Sequence, residues 1–415
     1  MKIKLEKSDL ANSIIYILLF LYALNLYNLS AYLIILLFLI FLYKILYYKK
    51  RIMLNLELLI LVCCFTTYFY SYLKYYDLSF LYSFSVYFLS PLIAYFIGLN
   101  IYKIPGISIE KIIYSLSLGY FTYGFLNFIN TPQVILNSRQ IINFWSSDFL
   151  TATLQGSFYT LISSLLFYSI FISKKKSIKV LTLLASSFSV YASIQSASRT
   201  LLVIFFITFI ANILLFTKLK KENFSKKIIA ITFLALIALF ITISYNNNWL
   251  GIQELISSLP ISNRTDIQSG LDTPRYEYMI ESLKYIFSPF QGGGLITKQL
   301  GISYIHNLWL DTVNTVGLVP GAILLIYSVS TLLNILKLIK SNNICLEYKH
   351  LFFSLYLSSL MEFFVEPILE GIPYFFATSC LINGLTFFVL KRSHKKNEII
   401  MDMQQKNKKS KLPSQ

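Results

Sequence analysis

Apolar residues fall in runs of about 20 along nearly the whole chain, and this spacing limits what it can fold into. A helix needs about 20 residues to cross the hydrocarbon core of a bilayer, roughly 30 Å thick. Inside that core every backbone amide and carbonyl must find its partner within the protein, which leaves only helices or closed barrels; runs this long select helices. Composition agrees: 56% of residues are hydrophobic and 13% are charged, with a mean hydropathy of +0.63. Soluble domains carry roughly 25% charged residues. The sequence therefore predicts an all-α, polytopic integral membrane protein.

Twelve spans are expected, at roughly 10–27, 29–48, 52–71, 78–101, 109–130, 149–172, 178–196, 200–217, 228–245, 307–333, 350–367 and 372–390, each long enough to cross. Basic turns alternate with turns poor in lysine. Lys49 and Lys50, Lys174 to Lys176, Lys218 to Lys221, and Lys391 with Arg392 all follow even-numbered spans. Cytoplasmic loops concentrate such residues, which puts both termini inside. The net charge of +17 then reflects topology and attraction to anionic headgroups, and no nucleic-acid partner is expected. At Asn28 the reading stays open between two spans and one bent segment. The first run is read as a retained anchor rather than a signal peptide, because no small-residue cleavage site precedes the second span. Residues 1–399 are expected to form one membrane domain, and the Lys/Gln/Ser-rich tail 400–415 to be disordered. None of the four cysteines is expected outside, so no disulfide framework or zinc cluster is available there.

Two external segments exceed a turn. One, about 131–148, carries Arg139, Trp145 and Asp148; the other, about 246–306, lies between spans nine and ten and is long enough to carry function. Four of the six arginines (Arg139, Arg199, Arg264 and Arg275) fall on the outer side, whereas about 27 of the 30 lysines fall inside. Membrane insertion does not discriminate Arg from Lys, so this bias needs another cause. Guanidinium binds phosphate through a planar fork that ammonium lacks.

Several residues pair a chemical reading with a structural one. His306 opens span ten, where a helix N-terminus favours anions and a neutral imidazole can act as a base; a headgroup-level anchor is the other reading. Arg199, in a small-residue turn between spans seven and eight, binds an anion or snorkels at a helix end. Arg275 begins an amphipathic segment, 275–287, expected to lie flat on the membrane. Gly292, Gly293 and Gly294 form a phosphate- or sugar-hugging turn or a flexible joint. Gly317, Pro320 and Gly321 suggest close helix packing with a kink. Glu362 and Glu366 share one face of span eleven and either pair with an arginine or hold a sugar hydroxyl. The three tryptophans lie on the outer side, as sugar-stacking rings or as an interfacial belt.

Three pieces in order, Ser198-Arg199-Thr200-Leu201-Leu202, then Arg275 with Ser288 to Gly294, then His306-Asn307-Leu308-Trp309-Leu310-Asp311 with Gly317 and Gly321, resemble the O-antigen polymerase and ligase superfamily of bacterial envelope glycan assembly. The resemblance implies metal- and cofactor-independent glycosyl transfer at the periplasmic face of the inner membrane, from an undecaprenyl-pyrophosphate-linked glycan. It implies that Arg199 and Arg275, assisted by Arg264 or Arg139, hold the pyrophosphate. His306 would take the proton from the acceptor hydroxyl, with Asn307, Glu362, Glu366, Gly293 and Gly294 in support. A chain-length regulator protein is an implied partner. The segment from Glu362 to Pro373 resembles the polymerases more than the ligases, which move a finished chain to lipid A–core. A lipid-glycan flippase is the alternative from another class. It fits less well, because transporters favour mid-membrane charges and internal repeats.

Overall fold

The structure, a computed structural model, describes residues 7–76, 80–220, 274–287 and 292–409. Nearly all of this is helix. Helix α1 (Lys7–Ala23) is followed by α2 (Ser30–Tyr47), α3 (Leu56–Tyr75), α4 (Phe80–Lys103), α5 (Ile109–Ile129) and the short α6 (Gln133–Asn137). A two-stranded antiparallel hairpin follows, β1 (Gln140–Ile142) with β2 (Phe149–Thr151). Then come α7 (Ala152–Phe171), α8 (Lys176–Gln195) and α9 (Arg199–Lys220). The remaining helices are α10 (Pro274–Lys284), α11 (Leu295–Leu300), α12 (Leu308–Val316), α13 (Leu318–Lys340), α14 (Leu346–Val365), α15 (Ile368–Gly371) and α16 (Pro373–Lys409).

Among the described residues, nine helices are long and apolar enough to cross a bilayer. They make this a multi-pass helical membrane protein. Span nine and residues 246–273 of the long loop lie outside the described residues. Side-chain caps open several elements: Asn55 accepts from Leu58 N, Ser108 from Lys111 N and Thr151 from Leu154 N. Helix α4 lies against α16 at the centre, where a Cβ on Gly98 or Gly384 would collide with the facing backbone. Small residues let membrane helices approach this closely. Large apolar side chains such as Leu39, Leu184 and Leu325 are exposed on outward faces, as a lipid-facing surface requires.

The open question at Asn28 resolves to two helices. Asn25, Tyr27 and Asn28 all adopt left-handed backbone, which no continuous helix tolerates. Span ten departs from expectation. His306 introduces not the span but the nine-residue α12, and the chain then breaks at Gly317, whose φ of 100° a side chain rarely adopts. The long apolar helix starts only at Leu318, with Pro320 in its first turn, where the missing amide costs little. Helix α16 also runs on to Lys409, into the tail expected to be disordered; its Glu, Met, Gln and Lys residues are good helix formers.

The turns sort into two ends. At one, Lys103 donates to the Arg51 carbonyl, Arg392 lies over the Tyr102 ring, Ser341 bonds Ser393, and Lys175 pairs with Glu110. This end gathers the basic turns. At the other, the Trp145 indole donates to the Leu24 carbonyl and Tyr22 to the Tyr374 carbonyl, tying the hairpin, the α1–α2 break and the start of α16 together. The candidate site lies at this second end.

Candidate functional site

The site is built on the connection from Gly292 to Val316 and on the end of α14. Asn307 caps α12 by accepting from Leu310 N. Asp311, one turn in and fully buried, accepts from Ile305 N at 2.8 Å and from Asn307 N at 2.9 Å. These two amides flank His306, whose φ is 65°. A left-handed histidine costs backbone energy, and the Asp311 carboxylate holds it there by gripping the amides on both sides. Of the first-turn amides that the sequence offered to an anion, Leu310 N is taken by the Asn307 cap. Asp311 stands inside the motif, but nothing in the sequence marked it as the clasp.

The glycine turn is a packing device as well. Gly293 N donates to the Thr315 carbonyl and Gly294 N to the Asn314 carbonyl, so these amides are taken by the C-terminal end of α12. All three glycines have positive φ, and a Cβ on Gly292 would sit 2.6–2.7 Å from the backbone of Thr315 to Gly317. Neither the phosphate-hugging turn nor the free joint describes this; the turn grips α12 and fixes the helix that begins beside His306.

The two cationic candidates of this region meet on one carboxylate. Glu366 is buried at the C-terminal cap of α14. Its Oε1 lies 3.4 Å from Arg275 Nη1, which also reaches the Val365 carbonyl at 3.4 Å. Its Oε2 lies 3.8 Å from His306 Nδ1. Arg275 and His306 stay 35% and 25% exposed, so both face solvent with a buried acid behind them. Helix α10, which carries Arg275, buries Ser282 and exposes Ile280 and Leu283; Phe287, three residues past its end, is exposed as well.

Glu362, one turn earlier, is fully buried and accepts from Ser157 at 2.9 Å and from Thr160, both on α7. It orients α14 rather than lining the solvent-facing site. Arg199 opens α9, whose first turn packs near Gly156 of α7, the neighbour of Ser157. Arg139 precedes β1 in left-handed backbone, and its carbonyl accepts from Ala152 N. Arg264 lies outside the described residues. Trp145 packs at a tilt against Tyr27 and Trp309 against Phe364, with the Trp309 indole donating to Ser328. Both rings therefore staple elements to one another, and Trp249 lies outside the described residues.

Sequence reasoning did not single out Glu370. On α15 it accepts from Thr315 at 3.0 Å, while its Oε2 is sealed from solvent and makes no hydrogen bond among the described residues. Burial first, and then the nearby Asp311 charge, hold this carboxyl well above the ordinary carboxylate range. Searched against protein-family models and against curated proteins, the sequence matches none.

Proposed function

We propose that this chain is a glycosyltransferase that extends a polyprenyl-pyrophosphate-linked glycan at the outer face of the bacterial inner membrane, as an O-antigen or capsule polymerase does. The observation that carries the reading is the convergence of His306 and Arg275 on buried Glu366, at the end away from the basic turns. With Nδ1 facing the carboxylate, the imidazole presents Nε2 outward. In that tautomer Nε2 accepts the proton of an acceptor hydroxyl while Nδ1–H points to Glu366, which stabilises the imidazolium that forms. Separations near 3.8 Å shorten to hydrogen bonds when substrate closes such sites. The acceptor oxygen attacks the anomeric carbon, the glycosyl–phosphate bond breaks, and the electron pair leaves on pyrophosphate. The Arg275 fork stabilises that developing charge, with Arg199, Arg139 and Arg264 as further pyrophosphate ligands in the same reading.

The test is purified protein in nanodiscs with lipid-linked repeat units extracted from the cells that make it. A ladder of longer lipid-linked products supports a polymerase. Products that form only after lipid A–core is added make it a ligase, and no product under either condition refutes glycosyl transfer.

A further inference from the structure

At the same end as His306 lies a cavity of about 320 Å³. It opens where the α1–α2 break, the hairpin loop and the α15–α16 turn meet, and it reaches the size range of small-ligand pockets, about 300–1,000 Å³. Its lining includes Asn25, Asn28, Asn143, Asp148, Tyr123 and Glu370. Amides donate and accept, carboxylates accept, and the five tyrosines of the wall offer both rings and hydroxyls. No lysine or arginine is among the described residues lining it. A phosphate would find only acidic and neutral partners there. A sugar has many hydroxyls that both donate and accept, with apolar C–H faces between them, and it matches this wall group for group.

Three left-handed residues at the break, Asn25, Tyr27 and Asn28, bring two asparagine side chains to the cavity instead of continuing a helix. Glu370 belongs to the cavity wall and also accepts from Thr315 of α12, so one side chain joins the cavity to the helix that begins beside His306. Glu366 and Glu370 are four residues apart, which limits their Cα separation to about 14 Å. A short oligosaccharide spans that distance.

We propose that this cavity is a sugar-binding subsite, specific for the uncharged or amino-sugar part of a glycan, which seats the acceptor chain while the lipid-linked pyrophosphate stays with the arginines. Its role as acceptor subsite rests on the glycosyl-transfer reading; its preference for sugar over phosphate does not.

The experiment uses the full chain in nanodiscs and two probes. One is the oligosaccharide released from the extracted lipid-linked glycan by mild acid, followed by saturation-transfer NMR. The other is inorganic pyrophosphate, followed by ³¹P line broadening. The expected result is saturation transfer to the oligosaccharide that weakens about tenfold in Asp148→Asn combined with Glu370→Gln, a loss on the scale of one or two hydrogen bonds. Arg275→Ala should leave it unchanged and should reduce pyrophosphate broadening. Leu150→Trp, which fills the cavity from its wall, supplies a second variant, and a cooperative melting transition in each establishes that both variants fold. Absence of transfer to the wild type, transfer indifferent to the cavity variants, or displacement of the oligosaccharide by pyrophosphate overturns the subsite. Oligosaccharide binding that follows the cavity variants, in a protein that forms no extended product, overturns the glycosyl-transfer reading alone.

Discussion

His306 is held in left-handed backbone by Asp311, and that pairing makes the aspartate a positioning residue for the imidazole. Replacing it with alanine frees two buried amides, so Asp311→Ala should destabilise the protein by about 1–3 kcal/mol and lower turnover with little change in pyrophosphate affinity. Thermal unfolding and donor titration in nanodiscs measure the two effects. Glu370 gives a pH prediction with a definite sign. Its folded carboxyl sits above the ordinary 4.5, so its contribution to stability is complete below that value and is lost as pH rises through the folded pKa. Wild type should therefore lose thermal stability relative to Glu370→Gln as pH increases from 5 to 8; a constant difference between them over this range would contradict the assignment. At this scale the sequence showed residue types but not partners. His306, Arg275 and Glu366 stood out because ionisable groups at helix ends are rare in such a chain, yet their meeting on one carboxylate joins segments 60 and 91 positions apart.

The elements show where periodicity informs and where it stops. Long apolar runs located most helices to within a few residues, because crossing a bilayer fixes their length. At Gly317 to Gly321 a kink was legible but a full break between α12 and α13 was not, since α12 is apolar enough to merge with the run that follows. The hairpin was missed for a similar reason, β1 being read as loop and β2 as the start of span six: three-residue strands carry almost no alternation. The glycine turn owes its role to close approach, which leads to a direct test. Gly292→Ala would push a Cβ into the Thr315–Gly317 backbone and impose a positive φ, at a cost of about 1–3 kcal/mol. Because α12 leads back to His306, the variant should also lose turnover. Wild-type melting temperature and rate in Gly292→Ala would show that the turn does not hold the helix.

Across the whole molecule, the basic turns at one end and the His306–Arg275–Glu366 site at the other give the protein a polarity that insertion translates into sidedness. Cys345 is exposed at the basic end, and Ser146 stands in the hairpin loop at the other. A membrane-impermeant maleimide should label Ser146→Cys in intact cells of a strain whose outer barrier is opened, and Cys345 only after the inner membrane is permeabilised. The reverse pattern would place the site in the cytoplasm. Lysine placement made this polarity readable in the sequence; the cavity beside Glu370 was not, because it is assembled from five separate stretches of chain. The account depends most on His306 acting as the base. Single-turnover extension of lipid-linked repeat units by His306→Ala, measured alongside donor binding, should fall by about 10²–10⁴ while donor affinity holds. Extension at the wild-type rate and chain length would contradict it.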